Sequence, residues 1–144
     1  MAKWLLLVYR IPREPTAGRV YVWRKLKQLG ALALQDAVWV LSAAPRTQEH
    51  FQWLAAEIVE LGGEAMLFTS ELLFDGGAEK LVARFEQPVC DAYEEIAQAL
   101  QRKDAELAAL SKRFQQIQAQ DYFHCEAGVE VRAKLLAAQG DEAT

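Results

Sequence analysis

Six basic side chains near the N-terminus are the residues of this sequence best suited to bind a ligand. They begin at the end of the first apolar segment, residues 4–10, and extend to residue 27: Arg10, Arg13, Arg19, Arg24, Lys25 and Lys27. Arginine binds tetrahedral oxyanions through paired hydrogen bonds, and both residue types neutralise the phosphates of nucleic acids. The cluster is therefore a candidate nucleic-acid or anion-binding site.

Three interpretations of this basic cluster stay open. It could contact a nucleic-acid backbone, or it could hold a small oxyanion near a helix start capped by Thr16, where free N–H groups attract anions. It could also be structural and pair with acidic side chains elsewhere. Residues 1–46 carry eight basic and two acidic side chains, whereas residues 47–144 carry eight basic and eighteen acidic ones. This asymmetry is compatible with all three interpretations.

A second group of side chains that could bind a metal or react is His124-Cys125-Glu126, with Asp121 nearby. Adjacent His and Cys side chains rarely bind the same ion, and no second cluster completes four ligands. We therefore predict no metal site and no cofactor. Cys90 and Cys125 are the only cysteines and form no CxxC pair or disulfide framework, which favours a reducing cytoplasm.

The tryptophans offer a different kind of contact. Trp23, Trp39 and Trp53 coincide with apolar helical or strand faces and are predicted to belong to the core. The alternative is a role in stacking on nucleic-acid bases.

The elements that must position these residues are predicted from the spacing of apolar side chains. Strands are expected at residues 4–10, 32–35, 38–42 and 64–70, with helices at residues 17–29 and from Thr47 to about residue 61. Gly30 and Gly62-Gly63 are predicted to end the two helices. This β-α-β-β-α-β order indicates an α+β fold, a ferredoxin-like sandwich over residues 1–75.

The second half of the sequence predicts a helical extension over residues 76–144. After a turn at Gly76-Gly77, a helix kinked or split near Pro88 is followed by another from about residue 104. A last helix is expected at about residues 129–138, with a polar tail from residue 139. The apolar stripes of the helical extension predict that it packs on the sheet or on a partner subunit, and we expect a homodimer.

The segment WLLLVYRIPREPTAGRVYVWRKLKQLGALALQDAVWVL (residues 4–41) resembles the N-terminal domain of the chromate-resistance ChrB family. The phrases FQWLAAEIVELGGEA and RFQQIQAQDYF are similar to it as well. The resemblance implies a regulator that accompanies chromate efflux pumps, with a ferredoxin-like module related to PaaX-type repressors and small CRISPR-associated nucleases. Full-length members continue into a second domain, so we expect a chain without it to lack any chromate sensing that depends on that domain.

The resemblance also bears on enzymatic activity. The related nucleases carry a metal-binding Asp at the end of the first strand, and this sequence has Tyr9-Arg10 there. A Mg²⁺-dependent mechanism therefore lacks its ligand, and we predict that the protein is not an enzyme.

The resemblance thus implies a chromate-resistance accessory or transcriptional regulatory protein, which we expect in the cytoplasm. Its expected partners are operator DNA, or chromate or another oxyanion, bound through the basic loop and helix. One alternative is a protein-interaction or dimerisation module with a purely structural basic patch, and a further one is an enzyme acting at Cys125 or His124. The sequence has no apolar run long enough to span a membrane, and no membrane partner is expected.

Overall fold

A computed structural model describes residues 3–74 and 78–143, with side chains to residue 140. The described residues form four strands and five helices. In chain order these are β1 (Trp4–Arg10), α1 (Thr16–Gln28), β2 (Leu32–Gln35), β3 (Val38–Ser42), α2 (Pro45–Glu60), β4 (Glu64–Ser70), α3 (Ala78–Leu100), α4 (Leu107–Gln120) and α5 (Glu126–Ala143). The α+β class is confirmed, and so are the predicted limits of all four strands.

The four strands form one antiparallel sheet in the order β2-β3-β1-β4. Leu7 of β1 lies opposite Trp39 of β3 on one side and Leu67 of β4 on the other. A two-residue turn joins β2 to β3, with a register irregularity between Ala33 and Gln35. The central strands β1 and β3 are buried because their side chains are mostly apolar, and Leu5, Leu7 and Leu41 are each at most 1% exposed.

Helices α1 and α2 each contribute an apolar face to the core that includes the sheet. Val22 and Leu26 of α1 are buried, as are Phe51, Leu54 and Ile58 of α2. Of the three tryptophans predicted to be in the core, Trp39 is buried. The prediction is wrong for Trp23 and Trp53, which are 52% and 66% exposed. Each lies one residue from a buried neighbour, Val22 or Leu54, and one step along a helix turns the side chain by about 100°, away from the buried face.

The helix ends only partly follow the predictions. Thr16 does not cap α1, because Pro15 occupies the capping position and Thr16 is the first helical residue. Thr47 lies one turn inside α2, where its hydroxyl accepts a hydrogen bond from the Ala44 N–H at 3.0 Å and donates one to the Ser42 carbonyl at 2.6 Å. Gly30 and Gly62 follow the two helices with φ of 74° and 89°, which confirms them as stop signals.

The second half is helical, as predicted, but its helices differ in extent. Helix α3 continues through Pro88 and is not split, because the buried residues on both sides of the proline keep one apolar stripe: Leu81, Phe85, Val89, Tyr93 and Ile96. The last helix starts at Glu126 and replaces the predicted polar tail with helix up to Ala143. Val89, Tyr93 and Ile96 of this stripe form one core cluster with four residues of α4 and α5: Phe114, Ile117, Val131 and Leu135.

The expectation that the two cysteines form no disulfide is wrong, because Cys90 and Cys125 are bonded to each other, with their Cα atoms 5.9 Å apart. The bond joins α3 to the residue that precedes α5. The sequence separation of 35 residues gives no hint of this pairing. It follows from helix packing, in which Gly128 of α5 leaves room for the Tyr93 ring of α3.

The chain divides into two compact units, Met1–Lys80 and Leu81–Thr144. The predicted boundary between residues 75 and 76 and the predicted turn at Gly76-Gly77 lie outside the described residues. None of the helices in the described part of the chain has the length and apolar character that crossing a membrane requires.

Candidate anion-binding site

One exposed face of α1 carries both charged and apolar side chains. Thr16, Arg19, Val20, Trp23 and Arg24 follow each other at intervals of three, one, three and one residues, which places them on one side of a helix. This face differs from the one that buries Val22 and Leu26. It combines two guanidinium groups with an indole ring, so it can offer both charge and an aromatic surface.

This face lines an open pocket of about 740 Å³ in the first unit. The other walls come from the end of β1 and the β2–β3 turn: Tyr9, Arg10, Ile11, Asp36 and Ala37. The turn is held beside β1 by a hydrogen bond from the Tyr9 N–H to the Ala37 carbonyl at 3.1 Å. This bond brings Asp36 to the pocket, although 26 intervening residues separate it from Tyr9 in the sequence.

Three of the six predicted basic residues, Arg10, Arg19 and Arg24, meet at this pocket. Arg10 forms an ion pair with Glu64 at 3.4 Å, and both side chains are about four-fifths exposed. Within residues 3–74, Arg19 and Arg24 form no ion pair, even though Asp36 lines the same pocket. Their guanidinium groups therefore remain available to an anion from solution.

The other three predicted residues do not line the pocket. Arg13 lies exposed in the loop before α1. The Lys25 ammonium lies 5.7 Å from the centre of the Tyr21 ring, and Tyr21 donates a hydrogen bond to Glu57 of α2. The Lys27 ammonium lies 5.6 Å and 5.9 Å from the ring centres of Trp23 and Trp39. These residues add positive charge around the pocket rather than direct ligand contacts within it.

The Tyr9 hydroxyl adds a neutral polar group to the pocket. Burial raises the pKa of the Tyr9 phenol above its ordinary value of 10.0; the nearby Trp39 side chain and the Arg19 charge oppose this rise, and Asp36 adds to it. The phenol is therefore protonated at neutral pH and can donate a hydrogen bond. Sequence reasoning missed Tyr9 and Asp36, and the signal available was only their polarity at the ends of apolar strands.

Asp121, His124 and Cys125 of the second group line a smaller pocket of about 180 Å³ in the helical unit, whereas Glu126 does not line it. Asp121 accepts hydrogen bonds from the Cys125 N–H at 3.0 Å and from the Tyr93 hydroxyl at 3.0 Å. Because Cys125 is bonded to Cys90, this structure offers no thiol for chemistry there. Across residues 3–74 and 78–143, no three His, Cys, Asp or Glu side chains are grouped as a metal site requires.

Comparison with known proteins agrees with the resemblance seen in the sequence. The family model described as "Protein ChrB, N-terminal" matches residues 19–116, which include Arg19, Trp23, Arg24 and Asp36 of the pocket. Protein ChrB of Cupriavidus metallidurans is 30% identical over 84 residues. The match covers 58% of this chain and 26% of that protein, so the chain spans about a quarter of the relative's length.

No solved structure matches the chain, and the ferredoxin-like assignment stays a prediction. The family match extends over most of the sequence and includes the α1 face of the pocket. The chain belongs to the family of ChrB N-terminal domains.

Proposed function

We propose that this chain is a ChrB-type accessory or transcriptional regulatory protein of chromate resistance. We also propose that it acts in the cytoplasm, which a role at operator DNA requires; the cysteines no longer support this location, because Cys90 and Cys125 form a disulfide. The chain binds DNA through the basic loop and helix, and it is not an enzyme. The proposal also assigns the first unit to the ferredoxin-like modules, which the β-α-β-β-α-β order and the β2-β3-β1-β4 sheet support.

The observation that carries the DNA-binding proposal is the pair of arginines on α1. Arg19 and Arg24 are exposed, lack a carboxylate partner within residues 3–74, and project from one helix face beside a third arginine, Arg10. Lys25, Lys27 and Arg13 extend the positive charge around them. Such a group neutralises several phosphates at once and releases their counterions, which supplies most of the affinity for a nucleic-acid backbone.

A gel-shift titration tests this proposal. The probe is a duplex from the promoter of the chain's own gene, used at about 50 and 200 mM salt, alongside a scrambled duplex of equal length. Affinity should fall steeply with salt. Arg19→Ala and Arg24→Ala should each weaken binding and reduce the salt slope by about 0.9 for each phosphate that the variant no longer neutralises.

Arg46→Ala is the matched control, because Arg46 is an exposed arginine of α2 that does not line the pocket. It should keep the salt slope of the original protein. If no duplex shifts at either salt concentration, DNA binding is wrong.

The second candidate ligand is a small oxyanion such as chromate, favoured by the presence of Arg19, Arg24 and the start of α1 at one pocket. Calorimetric titration with chromate and with sulfate measures it directly. The alternative is an interaction module in which the basic patch is structural. It predicts that neither DNA nor an oxyanion binds and that light scattering shows a dimer. In that case Arg19→Ala and Arg24→Ala leave all binding unchanged.

A further inference from the structure

The pocket on α1 is larger and more apolar than an inorganic oxyanion requires. Its volume of about 740 Å³ falls among pockets that hold organic ligands of roughly drug size, about 300–1,000 Å³. Ile11, Val20, Trp23 and Ala37 provide apolar walls between the charged groups. A tetrahedral anion would contact the arginines and leave most of this surface uncovered. The lining therefore indicates an anion attached to a larger, partly apolar group.

Trp23 provides the clearest clue to that group. Its ring is 52% exposed on a face where an apolar side chain has no core to join. Lys27, one turn further along α1, places its ammonium 5.6 Å from the ring centre and so helps to fix the orientation of the indole. An exposed, oriented indole beside arginines is the arrangement with which proteins stack an unpaired base and hold its phosphate.

Asp36 explains why the ligand should carry a donor as well as a negative charge. Its carboxylate lines the same pocket as Arg19 and Arg24, yet it forms no ion pair with either. An ionised carboxylate only accepts hydrogen bonds, and it repels a bare anion. Adenine, cytosine and guanine present an exocyclic amino group that can donate to it, whereas uracil and thymine present a carbonyl in its place.

We propose that this pocket binds a nucleoside monophosphate unit with an amino-bearing base. The base lies against Trp23 with its amino group on Asp36, and the phosphate lies at Arg19 and Arg24. The inference deepens the proposed nucleic-acid function and rests on it for the strand form of the ligand. The unit is either a free nucleotide or an unpaired residue of a nucleic-acid strand.

Isothermal titration with CMP, GMP, AMP, UMP, ribose 5-phosphate and inorganic phosphate tests the base contact. At least one amino-bearing nucleotide should bind about fivefold or more tightly than UMP, and ribose 5-phosphate and phosphate should bind more weakly still. Asp36→Asn should abolish the preference over UMP, because an amide can also donate to a carbonyl. Equal affinity for UMP and all three amino-bearing nucleotides overturns the inference.

Trp23→Ala should weaken nucleotide binding about tenfold. Trp53→Ala is the control, since Trp53 is equally large, is 66% exposed on α2 and does not line the pocket. Circular dichroism confirms that both variants are folded. If folded Trp23→Ala binds nucleotides as tightly as the original protein, the base does not stack there and the inference is wrong.

Oligonucleotide arms separate the two sources of the ligand. A single-stranded oligonucleotide of the base whose monophosphate binds best should bind more tightly than that monophosphate, and more tightly than oligo(dT), if the ligand is an unpaired strand residue. Equal affinity for this oligonucleotide and the monophosphate identifies a free nucleotide. Nucleotide binding that is unchanged in folded Trp23→Ala and Asp36→Asn overturns the pocket inference, and duplex binding that still depends on Arg19 and Arg24 would leave the proposed DNA-binding function in place.

Discussion

The backbone carbonyl of Arg10 lies so close to Gly63 that a Cβ at residue 63 would overlap its oxygen. Residue 63 immediately precedes β4, and Arg10 and Glu64 are the last register pair between β1 and β4. The absence of a side chain at Gly63 therefore lets β1 and β4 pair as far as Arg10, which lines the pocket on α1. The ion pair between Arg10 and Glu64 adds little, because both side chains are mostly exposed.

Gly63→Ala should therefore lower the free energy of unfolding by about 1–3 kcal/mol, as overpacked sites typically do. The new methyl group would also lie about 2.9 Å from the Ile58 Cγ2 atom, so the buried face of α2 gives no room for relief. Urea denaturation measures the change.

Gly18→Ala is the matched control for this glycine. A Cβ there would lie 3.6 Å or more from Ile11 and Leu61, which is ordinary packing distance, and residue 18 lies within α1. The substitution should leave stability unchanged or raise it by up to about 1 kcal/mol. Equal effects of the two substitutions would contradict the steric argument.

Thr47 should matter through its hydroxyl rather than its volume. The residue is 2% exposed, and the hydroxyl links the Ala44 N–H to the Ser42 carbonyl. Thr47→Val keeps the shape but leaves both groups without this partner, which should cost about 1–3 kcal/mol of unfolding free energy. Thr47→Ser keeps the hydroxyl and should lose less. Urea denaturation of the two variants would contradict this assignment if Thr47→Ser were the more damaging change.

The strands were predictable because each has a local signal. The apolar segment at residues 4–10 ends before Pro12, and Gly30 and Gly62 mark the ends of the helices with the positive φ that glycine allows. The basic residues of the site were predictable from their type alone. These features need no knowledge of which distant residues meet.

The rest of the site depends on tertiary contacts that a linear pattern does not contain. Asp36 reaches the pocket only because the Tyr9 N–H bonds to Ala37 across the sheet. The sequence pattern predicts Trp23 in the core because it adjoins Val22, yet one step along a helix turns a side chain by about 100°. The pairing of Cys90 with Cys125 likewise depends on how α3 and α5 pack.

Reduction of the Cys90–Cys125 disulfide should destabilise the helical unit. The bond closes a loop of 35 residues, and the chain-entropy relation gives about 3–4 kcal/mol for a loop of this length. A Cys90→Ser, Cys125→Ser double variant should show the same loss without added reductant. Urea denaturation with and without dithiothreitol provides the measurement. The double variant should no longer respond to dithiothreitol, and an unchanged midpoint for the reduced original protein would contradict the prediction.

The hydrogen bond from Tyr93 to Asp121 should make the stability of the helical unit depend on pH in the alkaline range. Burial of the Tyr93 ring raises the pKa of its phenol well above the ordinary value of 10.0, and the Asp121 carboxylate raises it further. A raised pKa in the folded state means that folding favours the protonated phenol. Its stabilising contribution is therefore complete below pH 10 and declines as the pH rises further.

Tyr93→Phe isolates this effect from the lysines that titrate in the same range. The variant should lose about 1 kcal/mol at pH 8, because Asp121 loses one of its donors. The stability difference between the original protein and the variant should then shrink between about pH 10 and pH 12. Urea denaturation at pH 8, 10 and 11.5 measures this difference. A gap that widened with pH would mean that the folded state favours the ionised phenol, contrary to its burial against a carboxylate.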